Sequence, residues 1–351
     1  MTCRFAVFFP LLLWMLIPTL SACSRPPPDI VLSGPAQGTT YTVKVAAPAV
    51  GTDPSAVRLA VEEVLARVDR EMSGYRSDSE LSLFNAAQST DWFSVSPEVA
   101  TVVAAALKVS EASDGALDIT VAPLVNLWGM GPAGPPQQMP SNADVKQAMA
   151  RVGYRKLHVR EEPPALRKDQ VDLAIDLNSI AQGYTSDLVG ARLESLGFRN
   201  FMVDIGGEVR ARGRNGSGDP WRIAVERPVD TEPTPYAILK LDDMAVTTAG
   251  EYRHYFIRDG HRYSHTIDPR TGHTMEHDVA AVVVVSTTGM DADGWDTALN
   301  VLGSKAGYDL AVQRDMAVLF ILHDGTNLRP LMTPRFATYL AVPPREVARS
   351  Q

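Results

Sequence analysis

Oxygen-bearing side chains follow a histidine and an apolar run between residues 263 and 302. Asp293 and Thr297 are four residues apart in a segment with helical spacing, so both point to the same side. Carboxylate and hydroxyl oxygens are ligands that a hard cation such as Mg²⁺ prefers. His265 precedes them by one turn and one predicted strand. The pattern therefore indicates chemistry on phosphate esters beside a magnesium site.

The helix predicted at residues 291–302 carries three acids, Asp291, Asp293 and Asp296. They could form a solvated face, because acids near a helix N-terminus interact favourably with the helix dipole. However, Trp295 and most of the remaining positions are apolar, which predicts packing over much of the helix surface. A buried acid needs a partner or a metal.

A second oxygen-rich motif stands at the start of the helix predicted at residues 180–196, with the sequence Asp176-Leu-Asn-Ser179-Ile-Ala-Gln182-Gly-Tyr184. Asp176 or Ser179 could simply cap that helix, the commonest role of such residues there. Alternatively, the helix N-terminus binds a phosphate or its metal, and Gln182 adds a side-chain amide one turn on.

Two glycine-containing motifs could each bind a ligand or could simply form a turn or cap. Gly206-Gly207 follows a predicted strand, and paired glycines either let the backbone approach a ligand closely or form a hairpin turn. Asp118 follows the end of a helix predicted at residues 96–115. It is either a turn or cap residue or part of a pocket for an aromatic ligand.

Five of the seven histidines lie between residues 254 and 277. The spacings His261–His265 and His273–His277 are compatible with zinc ligands. Glycine and proline interrupt this segment, it contains no cysteine, and no HExxH motif is present, so a zinc site is disfavoured. His265 is of most interest because it precedes a turn; it could otherwise be a strand-end histidine bonded to backbone.

Helical and strand patterns alternate irregularly along the chain and must position these motifs. Helices are predicted over residues 54–72 (capped by Asp53 or Ser55), 96–115, 180–196, 291–302 and 304–313. Strands are predicted over residues 41–45, 201–205, 209–212, 221–225, 237–241, 245–248, 252–257, 279–286 and 317–322. Residues 129–142 form a Gly/Pro loop. Because no regular βαβ alternation is present, we expect an α+β fold with mixed or antiparallel sheets and flanking helices.

The N-terminus is typical of an export signal. Arg4 precedes an apolar run over residues 5–20, which proline makes a poor spanning helix. The run ends in Leu20-Ser21-Ala22-Cys23, which resembles a bacterial lipobox. An ordinary secretory signal with a chance cysteine is the alternative. The lipoprotein interpretation predicts cleavage before Cys23, a lipid on its sulfur, and anchoring to a membrane surface.

Composition excludes some classes of protein. The chain of 351 residues has only two cysteines, Cys3 and Cys23. Cys3 leaves with the signal and Cys23 is lipidated, so the exported domain has no disulfide and needs a large core. The formal net charge of −8 argues against a general nucleic-acid binder.

Taken together, the ordered motifs resemble the ApbE family of FAD:protein FMN transferases. The matching segments are Gly38–Tyr41, Met72–Leu81, Gly115–Thr120, Asp176–Tyr184, Gly206-Gly207, Ser264–Pro269 and Ala292–Thr297. They cover about residues 35–335. Each motif alone is weak, but so many in the right order are specific.

The resemblance implies transfer of the FMN half of FAD to a Thr or Ser hydroxyl of an acceptor protein, with release of AMP. It implies Mg²⁺ ligands at Ser179, Asp293 and Thr297. It implies FAD contacts at Gln37, Tyr75, Ala116, Leu117, Asp118, Asp176, Gln182, Ile267 and Asp296. The acceptor hydroxyl must lose a proton, for which His265 and Asp268 are the catalytic candidates.

Two positions depart from the family pattern. The family often has methionine immediately before Gly-Thr, where this chain has Gln37, so an apolar flavin contact is lost or becomes polar. Gln182 occupies a position that is commonly charged in the family. Neither departure falls on a residue that is expected to bind the metal.

The expected domain order is a signal peptide (1–22), a lipidated Pro-rich tether (23–34), the catalytic domain (35–340) and a C-terminal tail (341–351). The expected acceptors are exported or membrane flavoproteins, such as subunits of membrane redox complexes. The expected location is the bacterial cell envelope, on the periplasmic side of the inner membrane. An FAD pyrophosphatase that uses the same Mg²⁺ site and a non-catalytic flavin-binding lipoprotein remain as alternatives.

Overall fold

The structure, a computed structural model, describes residues 28–131, 134, 136, 138–229, 233–250, 255–258, 261–275 and 277–344. The helices are α1 (Pro54–Met72), α2 (Glu80–Ala86), α3 (Pro97–Ala112), α4 (Ala122–Leu127), α5 (Asn142–Met149), α6 (Ala181–Ser195), α7 (Gly289–Gln313) and α8 (Pro334–Ala337). None of the described helices is both long and apolar enough to cross a membrane.

The strands are β1 (Ile30–Ala36), β2 (Thr39–Val45), β3 (Phe93–Ser94), β4 (Leu157–Glu161), β5 (Pro164–Lys168), β6 (Phe201–Ile205), β7 (Glu208–Arg212), β8 (Trp221–Glu226), β9 (Pro235–Leu241), β10 (Met244–Gly250), β11 (Tyr255–Arg258), β12 (His261–Ser264), β13 (Ile267–Asp268), β14 (His273–Thr274), β15 (Val279–Ser286), β16 (Ala317–Asp324), β17 (Asn327–Met332) and β18 (Leu340–Val342). The predicted α+β class is confirmed.

Eight strands form the main sheet, in the order β1-β2-β6-β7-β10-β15-β16-β17. Each neighbouring pair in this sheet is antiparallel. A three-stranded sheet, β18-β9-β8, packs against one face through a core that includes Trp221, Leu239 and Val283. Helices cover the other face: α1 and α6 pack on β1, β2 and β6, and α7 packs on β15 and β16. Strand β15 reads VAAVVVVS because both of its faces are buried.

Local sequence signals set the helix ends. Asp53 caps α1 by accepting a hydrogen bond from the Ser55 amide, at 2.9 Å. Within the predicted segment 96–115, helix α3 ends at Ala112, and Gly115 follows with φ +77°. The predicted break between residues 302 and 304 is confirmed, because Gly303 interrupts α7 with φ +77°. The described residues of the predicted 129–142 loop before α5 contain neither helix nor strand.

The sheets extend beyond two predicted boundaries. Residues 30–34, assigned to the tether, belong to β1, which pairs along its whole length with β2. Gly34 and Pro35 weaken the strand pattern there, and the pairing partner rather than the local sequence makes the segment a strand. At the other end, β18 pairs with β9, so Val342 belongs to the domain and not to the tail. Cys23 and the signal lie outside the described residues, as does part of the strand predicted at 252–257.

Helices α6 and α7 cross at two glycines. A Cβ on Gly183 would lie 2.1 Å from the Gly289 carbonyl oxygen, and a Cβ on Gly289 would lie 2.4 Å from the Gly183 carbonyl oxygen. Real Cβ atoms do not approach backbone oxygen so closely, so only glycine fits at either position.

Each of these helices satisfies free amides at the start of the other. Asp187 of α6 accepts hydrogen bonds from the amides of Gly289 and Met290, at 2.8 and 3.0 Å. Asp293 of α7 accepts one from the Gly183 amide through its Oδ2, at 2.8 Å. The first turn of a helix leaves its amides without intrahelical partners, so both carboxylates act as caps across the crossing.

The crossing makes Gly183→Ala destabilising. The added methyl forces the two backbones apart, and overpacking of this kind costs about 1–3 kcal/mol of unfolding free energy. Urea denaturation measures the loss. Gly294→Ala on α7 is the matched control, because its Cβ meets nothing closer than Ile180 Cδ1 at 3.4 Å. Equal unfolding free energies for Gly183→Ala and the wild type would contradict the tight crossing.

Candidate active site

One cavity of about 1410 Å³ lies beside the N-terminus of α6, the buried face of α7 and the ends of several strands of the main sheet. It collects predicted site residues from far apart in the sequence. The predicted residues that line it are Gln37, Tyr75, Ala116, Leu117, Asp118, Asp176, Ser179, Gln182, His265, Ile267, Asp293, Asp296 and Thr297. The fold therefore brings the sequence motifs to a single place.

Asp268 is the exception among the predicted residues. It does not line the cavity, and its carboxylate is held by the Arg270 guanidinium at 2.9 and 2.8 Å. It also accepts from the Arg270 amide at 2.8 Å. Because these bonds occupy the carboxylate, Asp268 is not placed to act as the base for the acceptor hydroxyl, a role that His265 could fill.

The N-terminus of α6 faces the cavity without a cap from its own flanking residues, although Asp293 of α7 accepts from its Gly183 amide. Its first flanking residue is Ile180, and no side chain caps it at that position. Asp176 instead accepts from the Asn178 amide at 2.7 Å, and Ser179 and Gln182 line the cavity. The capping alternative for Asp176 and Ser179 is therefore wrong. The position of a helix start beside a cavity favours an anionic ligand.

Three buried acids, Asp293, Asp296 and Glu208, line the cavity. Burial raises the pKa of Asp293 to about 7. Burial also raises the pKa of Asp296 well above its ordinary value, and the neighbouring Asp293 carboxylate adds to the increase. The pKa of Glu208 is raised by burial and then by Asp293 and Asp296. Taking these carboxylates out of water is costly unless a cation or proton neutralises them.

Glu208 is the functional candidate that sequence reasoning left without a role. It is the first residue of β7, directly after the Gly206-Gly207 turn, and lines the cavity. Its Oε2 has no hydrogen-bond partner among the described residues. The turn itself is the predicted hairpin, with φ values of +70° and +115°, and it also lines the cavity. The only sequence signal for Glu208 is its place beside these glycines.

Asp118 serves as a structural cap as well as a lining residue. Its Oδ1 accepts from the Thr120 amide and hydroxyl at 2.8 and 2.6 Å, and its Oδ2 accepts from the Tyr154 amide at 2.8 Å. These bonds begin a 3₁₀ turn at Ile119–Val121. The cap interpretation is confirmed, and any ligand contact must share these oxygens.

Gln37 enters the cavity from the turn between β1 and β2. It adopts a positive φ of 48° beside Gly38 at φ +77°, as a tight hairpin requires. Its Nε2 donates to the Thr185 hydroxyl at 2.7 Å, and its Oε1 has no partner among the described residues. The side chain therefore offers a buried carbonyl oxygen where the family pattern often has methionine.

The described histidines do not form a zinc site. His277 bonds through Nε2 to the Asn300 carbonyl oxygen at 2.7 Å, and the His273 ring lies against Trp128. His254 and the side chain of His261 lie outside the described residues. In the described part of the chain, no three His, Cys, Asp or Glu side chains are grouped so that they could hold a metal. The expected Mg²⁺ ligands are not such a group, because they comprise one carboxylate and two hydroxyls.

Cationic and aromatic side chains complete the cavity wall. Lys44, Arg76 and Arg222 line it, and Tyr75 does so with 66% of its surface exposed. Arginine and lysine bind phosphate oxygens, and an exposed aromatic ring can stack on a flat heterocycle. The cavity is thus suited to a ligand that carries both phosphate and an aromatic system.

Comparisons with known proteins agree with this chemistry. The ApbE family model matches residues 37–320. A Vibrio cholerae relative named FAD:protein FMN transferase is 39% identical over 322 residues, 92% of this chain and 96% of the relative. The solved flavin transferase ApbE from Vibrio cholerae has a TM-score of 0.82 at 38% identity, covering 89% of this chain and 99% of that one. The apo flavinyl transferase ApbE from Pseudomonas stutzeri has a TM-score of 0.81 at 40% identity, covering 90% and 98%.

The buried acids predict a pH-dependent stability without divalent cations. Because their folded-state pKa values are raised, stability is highest when they are protonated and falls as pH rises above the ordinary carboxyl range, through about 7 for Asp293. Glu208→Gln removes one charge and weakens the repulsion. Its unfolding free energy in EDTA should exceed that of the wild type by about 1–3 kcal/mol at pH 8, and by less at pH 5.

Urea titrations at several pH values measure this difference. Glu111→Gln is the matched control, because Glu111 is an exposed acid on α3. It should leave the pH profile unchanged. A Glu208→Gln profile parallel to that of the wild type would show that Glu208 is not repelled by the other acids.

Proposed function

The chain belongs to the ApbE family, and we propose that it transfers the FMN moiety of FAD to a Thr or Ser hydroxyl of an acceptor protein, releasing AMP. The observation that carries the proposal is the cavity itself. It unites all but one of the predicted catalytic, FAD-binding and metal residues around three buried acids and the N-terminus of α6. The relatives with this sequence pattern bear the name FAD:protein FMN transferase.

The cavity has the groups that FAD requires. Its volume of about 1410 Å³ exceeds that of ordinary small-molecule pockets, as expected for a dinucleotide. The α6 N-terminus with Arg76 and Lys44 supplies positive potential for the pyrophosphate. Tyr75 at the rim offers a ring face, and the Gln37 carbonyl oxygen offers an acceptor to a ring or sugar donor. We assign FAD to this cavity on these grounds.

The proposed reaction depends on Mg²⁺, for which Asp293, Thr297 and Ser179 are the proposed ligands. All three line the cavity and present only oxygen donors. Asp293 is held by the Gly183 amide, and burial raises its pKa to about 7, so a divalent cation would stabilise its ionised form. When bound, the ion would neutralise charge on the phosphate oxygens during transfer.

The transfer exchanges the phosphoanhydride bond of FAD for a phosphate ester on the acceptor. The acceptor oxygen forms a bond to the FMN phosphorus, the bond from that phosphorus to the bridging oxygen breaks, and AMP leaves with that oxygen. The hydroxyl proton must go to a base. His265 lines the cavity and is the proposed base, whereas the Asp268 carboxylate is occupied by Arg270. Positioning of the acceptor in place of water would separate transfer from FAD hydrolysis.

We further propose that the protein is anchored by a lipid on Cys23, on the periplasmic side of the inner membrane, and serves exported or membrane flavoproteins. The lipobox-like sequence before Cys23 is one support. The direction of β1 is another: Ile30 begins it on the tether side, and Gln37 follows its other end in the cavity. The open cavity would then face away from the bilayer, towards acceptors.

One assay tests the proposed reaction. The protein without its signal is incubated with FAD, Mg²⁺ and cell-envelope polypeptides of its source organism, and the products are followed by mass spectrometry. A mass gain of one FMN unit on a Thr or Ser residue is the expected result. Free FMN and AMP without labelled polypeptide would instead indicate an FAD pyrophosphatase. Retained FAD with neither product would indicate a flavin-binding protein.

Asp293→Asn tests the metal assignment in the same assay. Asparagine keeps an oxygen that can accept from Gly183 but loses the charge, so Mg²⁺-dependent turnover should fall by about 100-fold or more. Asp291→Asn is the matched control, because Asp291 is an exposed acid on the same helix. Wild-type turnover by Asp293→Asn would remove Asp293 from the metal site.

Cys23→Ala tests the anchor. The variant should lose the lipid of the wild type, because its only expected lipid attachment is removed. Metabolic labelling with radioactive palmitate measures the lipid, and Cys3→Ala is the control that should remain labelled. Equal labelling of Cys23→Ala and wild type would contradict the lipobox interpretation.

A further inference from the structure

Strand β8 forms part of the cavity wall and is also the edge of its sheet. The three-stranded sheet has the order β18-β9-β8, and among the described strands none pairs with the outer side of β8. Five consecutive residues of β8 line the cavity, from Arg222 to Glu226. An open edge strand presents a row of backbone donors and acceptors to whatever occupies the neighbouring space.

The pairing register identifies which backbone groups of β8 face outward. The Lys240 amide donates to the Tyr339 carbonyl oxygen at 2.8 Å, so the backbone groups of Lys240 point towards β18. Lys240 lies opposite Arg222 in the β8–β9 register. Because backbone direction alternates along a strand, Arg222 and Ala224 point their N–H and C=O groups away from β9. The Arg227 amide, which bonds to the Thr234 carbonyl oxygen at 2.8 Å, has the opposite direction, as alternation requires.

The side chains leave this edge accessible. Trp221, Ile223 and Val225 are buried in the core between the two sheets. Arg222 and Ala224 are exposed on the other face of the strand. Ala224 is small, so an extended chain could approach its backbone without displacing a large side chain.

We propose that an extended segment of the acceptor protein pairs with the outer edge of β8 and so carries its Thr or Ser hydroxyl into the cavity. This inference rests on the proposed function, which requires a polypeptide to reach the reacting phosphate. Strand addition suits that task, because backbone hydrogen bonds give affinity while the side chains remain free to select the sequence. The hydrogen bonds form with the backbone groups of Arg222 and Ala224, which lie in the cavity wall that the acceptor must pass.

Ala224→Pro tests the pairing by removing one outward N–H. Edge strands tolerate proline where the N–H faces away from the ladder. The probe is a synthetic peptide spanning about five residues on each side of the Thr or Ser that becomes labelled by the wild-type protein. The KM for this peptide should rise about tenfold, since a hydrogen bond is lost and the ring obstructs close approach. The Kd for FAD, measured by flavin fluorescence, should change by less than about twofold.

Val31→Pro is the matched control. Val31 is exposed on β1, an edge strand of the main sheet. The Gly206 amide donates to the Thr40 carbonyl oxygen, so the backbone groups of Thr40 point towards β6 and those of Val43 and Val45 point towards β1. Val31 lies between their partners Leu32 and Ile30, so its own N–H points outward. It does not line the cavity. Val31→Pro should leave the KM for the peptide unchanged.

The outcomes separate the inference from the proposed function. A wild-type KM for Ala224→Pro overturns the inference alone, as does an equal loss of FAD and peptide binding. A wild-type protein that labels no polypeptide overturns the proposed function and the inference with it. If Ala224→Pro fails to fold, amide hydrogen exchange on the wild-type protein tests the pairing instead. Peptide added with FAD should slow exchange at Arg222 and Ala224, and unchanged exchange at both amides overturns the pairing.

Discussion

The crossing of α6 and α7 is the constraint on which the site depends. Glycine at positions 183 and 289 lets the two backbones touch, and this contact places Asp293 against the first turn of α6. A cap of this kind contributes about 1 kcal/mol to the free energy of unfolding. Burial of an uncompensated acid lowers that free energy by several kcal/mol. The arrangement therefore stores electrostatic free energy at Asp293, Asp296 and Glu208, which the surrounding apolar cores must offset. A cation bound at Asp293 would offset part of this cost.

The ends of several helices and strands converge on the cavity. Helix α6 begins beside the cavity and runs for 15 residues, or about 22 Å, to its far end. Strand β6 returns from there to the Gly206-Gly207 turn, and β1 runs from the tether side to Gln37. Ends of secondary structure therefore meet at the cavity, where backbone amides and turn residues can approach a ligand. Another side of this space is formed by Arg222 and Ala224 of β8, whose outward backbone groups pair with no described strand.

Much of this framework could be predicted from local patterns in the sequence. The Asp53 cap, the break at Gly303 and the apolar strand β15 depend on neighbouring residues, so their sequence signals were sufficient. The cavity was anticipated because ordered motifs marked its lining. Burial of Glu208 and the open edge of β8 depend on packing between distant segments, which no local pattern encodes. Asp268 looked catalytic beside His265 because its partner, Arg270, gives no sign in the sequence of occupying both carboxylate oxygens.

The proposed flavin transfer requires that Asp293, at the α6–α7 crossing, holds the metal together with Thr297 and Ser179 beside the phosphates of FAD. A crystal structure of the wild-type protein with FAD and Mn²⁺, using anomalous scattering to locate the metal, tests it most directly. An anomalous peak is expected within bonding distance of Asp293 and Thr297, with the pyrophosphate of FAD beside the N-terminus of α6. FAD bound outside this cavity, or a metal peak bonded to neither side chain, would contradict it.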